Sequence, residues 1–221
     1  MVLLPPHAVF EGALTTFADI HFYEPSKGHG LAHDPFNAII APRPIAWVST
    51  IGRDGVPNLA PFSFSNAFSY HPPIVGFTCT GQKGSLTNAR DTGEFVWNLV
   101  THDTAAQMNV TSAVVPHGEN EFALAGLAPR ASRIVAPPCV DKSPVNLECK
   151  VCDIVQMKSF TGEPAPAWLV LGEVVAVHIR RDLVREGVFD TFGANIVVRA
   201  GGPSAYALLK PDSRFDMARP K

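Results

Sequence analysis

The residue types best suited to chemistry fall in two stretches. The first is hydroxyl-rich, with Ser49, Thr50, Ser63 and Ser65 on short β-type runs, and Asn58 and Asn66 nearby. The second is Lys83, Ser85 and Asn88, before and within a short predicted helix. Free N–H groups at a helix start, with a lysine beside them, suit a phosphate dianion. The same residues also suit a capped surface helix with a solvated lysine, and spacing alone does not choose between the two. No Gly-x-Gly-x-x-Gly or Gly-x-x-x-x-Gly-Lys loop and no Gly-x-Ser-x-Gly elbow occurs. Cys149 and Cys152 form a Cys-x-x-Cys, but they sit in a strand-like run with no second ligand pair at zinc spacing. Residues three apart on a strand face opposite ways, so neither a disulfide between them nor a metal site is expected. His29 and His33 lie among glycines that disfavour a helix, and read as loop residues rather than ligands. His71, before Pro72-Pro73, reads as a turn residue on the rim of the fold.

These side chains need a scaffold, and residues 43–66 supply its centre. Two β-type runs flank the turn Gly52-Arg53-Asp54-Gly55, a strong hairpin signal. Alternation along the second run puts Phe62 and Phe64 on one face and Ser63 and Ser65 on the other. Pro61, lacking an N–H, marks an edge or a bulge. Further strands are predicted over residues 74–80 and 94–100, and two long neighbouring strands over 144–157 and 167–179. A short helix over 86–91, capped by Ser85, should end at Gly93, and others are expected over 103–112 and 119–125. Glu186-Gly187 marks a turn. Strands dominate and strand–helix alternation is absent, which points to a closed antiparallel barrel rather than a doubly wound sheet. The chain has 221 residues, 46% hydrophobic and 17% charged, enough for one core. A net charge of −2 without a basic tract disfavours nucleic acid and anionic membrane as partners. No 18-residue apolar run and no signal-like N-terminus is present, so a reducing, cytoplasmic setting is expected. Residues 1–40 read as an arm packed on the barrel or on a second subunit, and residues 41–221 as the domain itself.

Several of these stretches together resemble the flavin reductase-like branch of the FMN-binding split β-barrels. They are Arg43-Pro44-Ile45-Ala46-Trp47-Val48-Ser49-Thr50, Asn58-Leu59-Ala60-Pro61-Phe62-Ser63-Phe64, Lys83-Gly84-Ser85-Leu86-Thr87-Asn88 and Gly93-Glu94-Phe95-Val96-Trp97-Asn98-Leu99. Asn120-Glu121-Phe122, Leu147-Glu148-Cys149, Leu171-Gly172-Glu173-Val174 and Arg199-Ala200-Gly201-Gly202 continue the likeness over most of the chain. Gly84 departs from it, standing where the family usually has an acidic residue. The resemblance implies a Greek-key antiparallel split barrel with a few short inserted helices, a homodimer, and FMN near the subunit interface. Carried over residue by residue, it puts Thr50, Asn58, Ala60, Ser63 and Ser65 on the flavin ring or ribityl chain. Lys83, Ser85 and Asn88 fall at the ribityl-phosphate end. Arg43, Ser49, Leu59 and Asn66 complete the expected cofactor-binding set, and Arg199 would reach the flavin or brace the dimer. The activity implied is transfer of hydride from NAD(P)H to flavin, with a monooxygenase or another acceptor as partner, and no dedicated acid or base is assigned. A flavoredoxin-like electron carrier without its own NAD(P)H turnover, and a flavin-binding protein with little turnover, are the alternatives.

Overall fold

The computed structural model describes residues 19–116 and 118–220, so the first 18 residues of the expected 1–40 arm lie outside the described residues. The elements run α1 (Phe36–Ile39), β1 (Arg43–Pro44), β2 (Ala46–Ile51), β3 (Pro57–Phe62), β4 (Ser65–Tyr70) and β5 (Pro73–Thr80). Then come α2 (Gly84–Thr92), β6 (Glu94–Leu99), α3 (Ala105–Val110), α4 (Glu121–Leu124), β7 (Pro129–Arg130) and β8 (Cys139–Val140). The long strands β9 (Val145–Lys158) and β10 (Pro164–Ile179) follow, then β11 (Val184–Arg185), β12 (Val188–Phe189), β13 (Val197–Arg199) and β14 (Tyr206–Leu208).

Seven strands make one sheet in the order β3-β2-β6-β9-β10-β5-β4, with every pairing antiparallel. Its two edges, β3 and β4, are consecutive in sequence and only Ser63 and Phe64 separate them. Were the sheet flat, six inter-strand steps would put the edges roughly 29 Å apart, whereas the short link spans about 11 Å at most. The sheet must therefore curl until its edges meet at this link, and the Phe64 carbonyl accepts the Thr78 N–H at 2.8 Å, extending the β4–β5 ladder into it.

That closure corrects the strand expected to run unbroken past Phe62. Phe62 is 5% exposed and packs inside the barrel, but the chain bends at Ser63-Phe64 and leaves Phe64 40% exposed. The Arg43 guanidinium lies 5.6 Å from the Phe64 ring centroid. Pro61 sits on edge strand β3, where its missing N–H deprives no neighbour.

The barrel interior holds Ala46, Val48, Phe62, Phe77, Phe95, Cys149 and Val170, with Leu86 and Ala89 of α2 packed into it. The Phe77 ring sits 4.8 Å from that of Phe62 and 5.2 Å from that of Phe95. A second core lies outside β2: Trp47 and Leu59 meet Val100, Met108 of α3, Phe122 of α4, Val140 and Val197. Strand β2 is thus buried on both faces, which is why its hairpin does not show a solvated side. The Asn98 side chain binds the two layers, donating to the Trp47 carbonyl and accepting from the Val140 N–H and the Asn146 amide.

Helix α2 begins at Gly84 with Lys83 in the N-cap position, earlier than the start at Leu86 that a Ser85 cap implied. The Ser85 hydroxyl is instead an acceptor for the Asn58 amide of β3 at 2.9 Å, so it serves packing rather than capping. Gly93 ends α2 with φ +71°, a conformation that favours glycine. The other helices are shorter than expected: a 3-10 turn at His102–Thr104 precedes α3, and Asn120 caps α4 through its side-chain oxygen. Strands β9 and β10 pair along their whole lengths, from Val145 opposite Ile179 to Lys158 opposite Pro164, with bulges. A smaller sheet, β1-β13-β14, stands beside the barrel.

Candidate functional site

Edge strand β3, the start of α2 and residues 111–116 enclose a cleft of about 360 Å³. Asn58, Ala60 and Pro61 form one wall, and Gln82, Lys83, Gly84 and Ser85 another. Residues 111–116 close the third side, with Val114 fully exposed. Glu121 completes the lining.

The outer edge of β3 has an unusual polarity. The Leu59 N–H points off the sheet and donates to the Glu121 carboxylate at 2.9 Å. On an antiparallel strand, alternate residues share that direction, and those flanking Leu59 are Pro57 and Pro61, which have no N–H. The edge therefore offers carbonyl acceptors and no free donor. Donors gather at the other wall. The Gly84 and Ser85 N–H groups begin α2, where no intrahelical acceptor exists for them. The Lys83 ammonium lies 5.7 Å from the Phe62 ring centroid and has no carboxylate partner among the described residues.

Of the residues expected to hold a cofactor, Asn58, Ala60, Lys83 and Ser85 line this cleft. Thr50 and Asn88 stand behind it, both buried, with the Asn88 amide donating to the Thr50 hydroxyl at 3.1 Å. Together with the Asn58–Ser85 bond, this contact ties α2 to the hairpin. The remaining expected residues do not line the cleft. The Leu59 side chain is buried in the second core. The Ser49 hydroxyl donates to the Pro138 carbonyl at 2.5 Å. The Ser65 hydroxyl donates to the Pro44 carbonyl, and the Asn66 side chain accepts the Ala67 N–H. Arg43 grips the carbonyls of Asn37 and Ile40, tying α1 to β1. Its pKa is lowered by burial and by Arg199. Ser63 lies in the barrel-closing bend. Arg199 braces its own turn: it donates to the carbonyls of Gly202, Pro203 and Ala205 and stacks 4.7 Å from the Tyr206 ring. Sequence reasoning missed Gln82, residues 111–116 and Glu121 as lining. Only Glu121 carried a signal, the Asn120-Glu121-Phe122 stretch.

Glu148 is fully buried at a separate site. Its carboxylate accepts the N–H groups of Arg133, Ile134 and Val135, and faces His178 Nε2 at 2.5 Å. Burial alone would push this carboxyl up, but those hydrogen bonds outweigh it and hold the pKa at about 2. Cys139 lies close enough for Cys139, Glu148 and His178 to form a cluster of metal-capable types. The Glu148 oxygens are already taken by four hydrogen-bonding groups, and burial raises the Cys139 thiol pKa, so the carboxylate is satisfied without a metal ion. Cys149 and Cys152 are free thiols, Cys149 buried in the barrel and Cys152 exposed, as opposite strand faces require.

A family profile described as "Flavin reductase like domain" matches residues 40–194. An uncharacterized protein of Halalkalibacterium halodurans is 36% identical over 168 residues, covering 74% of this chain and 80% of its own length. Among solved structures, nitrilotriacetate monooxygenase component B from Bacillus cereus is 26% identical, with a TM-score of 0.78 and 98% of each chain covered. A split-barrel protein of Shewanella frigidimarina, 23% identical, superposes with a TM-score of 0.72 over 93% of this chain and 95% of its own.

Proposed function

Because the chain belongs to the flavin reductase-like family, we propose that it is an FMN-binding oxidoreductase that takes hydride from NAD(P)H. The observation that carries this reading is the polarity of the cleft: unpaired donors and a free cation at one wall, acceptors along the other. FMN is a matching ligand, with an anionic phosphate at one end and a ring that bears both acceptors and an N–H at the other. Bound FMN supplies the redox chemistry, accepting electrons from a nicotinamide and passing them on. Lys83 and the N–H groups of Gly84 and Ser85 would hold the phosphate. The β3 carbonyls would accept from the ring N–H, and Asn58 and Ala60 would border the ring or ribityl chain. Thr50 and Asn88 act through α2, as positioning residues. Residues 111–116 would shield the site from water. Arg43, Ser49, Leu59, Ser65 and Asn66 keep structural duties in this reading.

The likeness to a monooxygenase component supports a two-component arrangement, in which a partner oxygenase takes the electrons. The test is NAD(P)H oxidation by the purified chain with added FMN. Oxidation that depends on both protein and flavin is expected. A protein that binds no flavin sinks the reading. Tight FMN reduced by a protein donor but not by NAD(P)H would identify an electron carrier instead.

A further inference from the structure

A second cavity, of about 640 Å³, lies between α3 and β14 and shares no lining residue with the candidate flavin cleft. Its floor is continuous with the second core, through Met108 and Val197, which are 2% and 3% exposed. Ala105, Ala106, Leu208 and the Tyr206 ring form apolar walls. The ring is held in place, because Arg199 stacks on it and fixes the carbonyls of the preceding turn. Lys210 is the one lysine, arginine or carboxylate side chain in the described lining. Lys210 has no carboxylate partner among the described residues, and His102 has only Asp103, 3.9 Å away and 95% exposed. An open, mainly apolar concavity of this size with a few polar groups at its rim has the character of a small-molecule site.

We propose that this cavity binds a small carboxylate with an apolar body, the body against Met108, Val197 and Tyr206 and the carboxylate at Lys210. The apolar walls exclude a fully polar anion, and Lys210 favours an acid over a neutral compound of the same shape. Helix α3 supplies one wall here, and the chain that leaves it at residue 111 becomes a wall of the flavin cleft. An occupant therefore contacts the helix that anchors the flavin-cleft segment.

The test is calorimetric titration of the full chain with benzoate, and with benzyl alcohol as its neutral counterpart, with and without saturating FMN. Saturable benzoate binding is expected with a Kd at or below about 1 mM, whether or not FMN is present. Benzyl alcohol should bind about three- to fivefold more weakly, the strength of a partly exposed ion pair, and Lys210→Ala should remove that difference. Ala106→Trp should fill the cavity and abolish binding of both compounds while leaving FMN affinity unchanged. No saturation by about 10 mM, equal binding of acid and alcohol, or wild-type binding by Ala106→Trp each overturns the proposal. So does displacement of benzoate by FMN, which would place it in the flavin cleft, and so does binding that appears only on dilution, which would mean that a second copy covers the cavity.

Discussion

A phosphate monoester carries about −1.5 to −2 charge at neutral pH, and Lys83 lines the cleft with no carboxylate partner among the described residues. A hydrogen bond to a charged group contributes about 1.5–3 kcal/mol. Lys83→Ala is therefore expected to weaken FMN binding roughly 10- to 150-fold, measured by fluorescence titration. Riboflavin lacks the phosphate, so its affinity should hold; equal weakening of both ligands would point to general damage, and no weakening would put the phosphate elsewhere. Glu148 makes the second residue-scale case. Its folded pKa of about 2 lies below the usual carboxylate range, so the unfolded chain binds the proton more readily. Its contribution is complete above the unfolded pKa and is lost as pH falls through about 2. Glu148→Gln should cost about 1–3 kcal/mol at neutral pH, since three backbone N–H groups lose a charged acceptor. It should also flatten the dependence of stability on pH in that acid range. Chemical denaturation of both proteins across acid pH checks this, and parallel profiles would refute it.

Helix α2 makes the corresponding case among the elements. Its outer end presents donors to the cleft, while its inner face is fastened by Leu86 and Ala89 in the barrel and by the Asn58–Ser85 and Thr50–Asn88 bonds. Asn88→Ala removes one fastening and leaves the buried Thr50 hydroxyl short of a partner, at a cost of about 1–3 kcal/mol. Because the helix itself shifts, FMN and riboflavin should both bind more weakly, unlike the Lys83→Ala pattern. A variant as stable as the parent, with unchanged flavin affinity, would show that the brace is dispensable. The loop over residues 133–136 is fastened differently: Glu148 and Glu94 between them accept all four of its N–H groups.

Among the described residues, exposed apolar side chains occur on many elements, and four large ones lie on α1 and β4. Phe36, Ile39, Phe68 and Tyr70 are 58%, 67%, 53% and 90% exposed. Arg43 joins the two elements, holding α1 by its carbonyls and lying over Phe64 at the entry to β4. A face of this kind marks an interaction surface, and we expect a second copy of the chain to cover it. Sedimentation should give twice the mass of the 23.7 kDa chain. The double substitution Ile39→Asp and Phe68→Asp should return a folded monomer. A native monomer at micromolar concentration would exclude the dimer, and a charged pair that leaves the dimer intact would place the interface elsewhere.

The sequence by itself determined what depends on backbone torsions and on period-two alternation. Gly93 and Glu186-Gly187 adopt positive φ where a helix end and a turn were read. The hairpin of β2 and β3, the pairing of β9 with β10, and the opposite faces of Cys149 and Cys152 follow from the same local rules. The closed antiparallel barrel was legible because strands dominate and helices do not alternate with them. Tertiary structure decided whatever needs a distant partner. The break at Ser63-Phe64 exists because the sheet's two edges must meet, which no local pattern encodes. Leu59 and Arg43 read as cofactor-binding residues, and the fold gives their polar groups partners within the protein: the Leu59 N–H donates to Glu121 of the cleft lining, 62 residues away, and the Arg43 guanidinium to the carbonyls of Asn37 and Ile40. Ser85 reads as a cap until Asn58, 27 residues earlier, claims its hydroxyl. Residues 111–116 carry no motif and become a wall of the cleft only because α3 packs into the second core and delivers them there. A side chain's type fixes what bonds it can make, but only the closed fold decides which partner comes within reach.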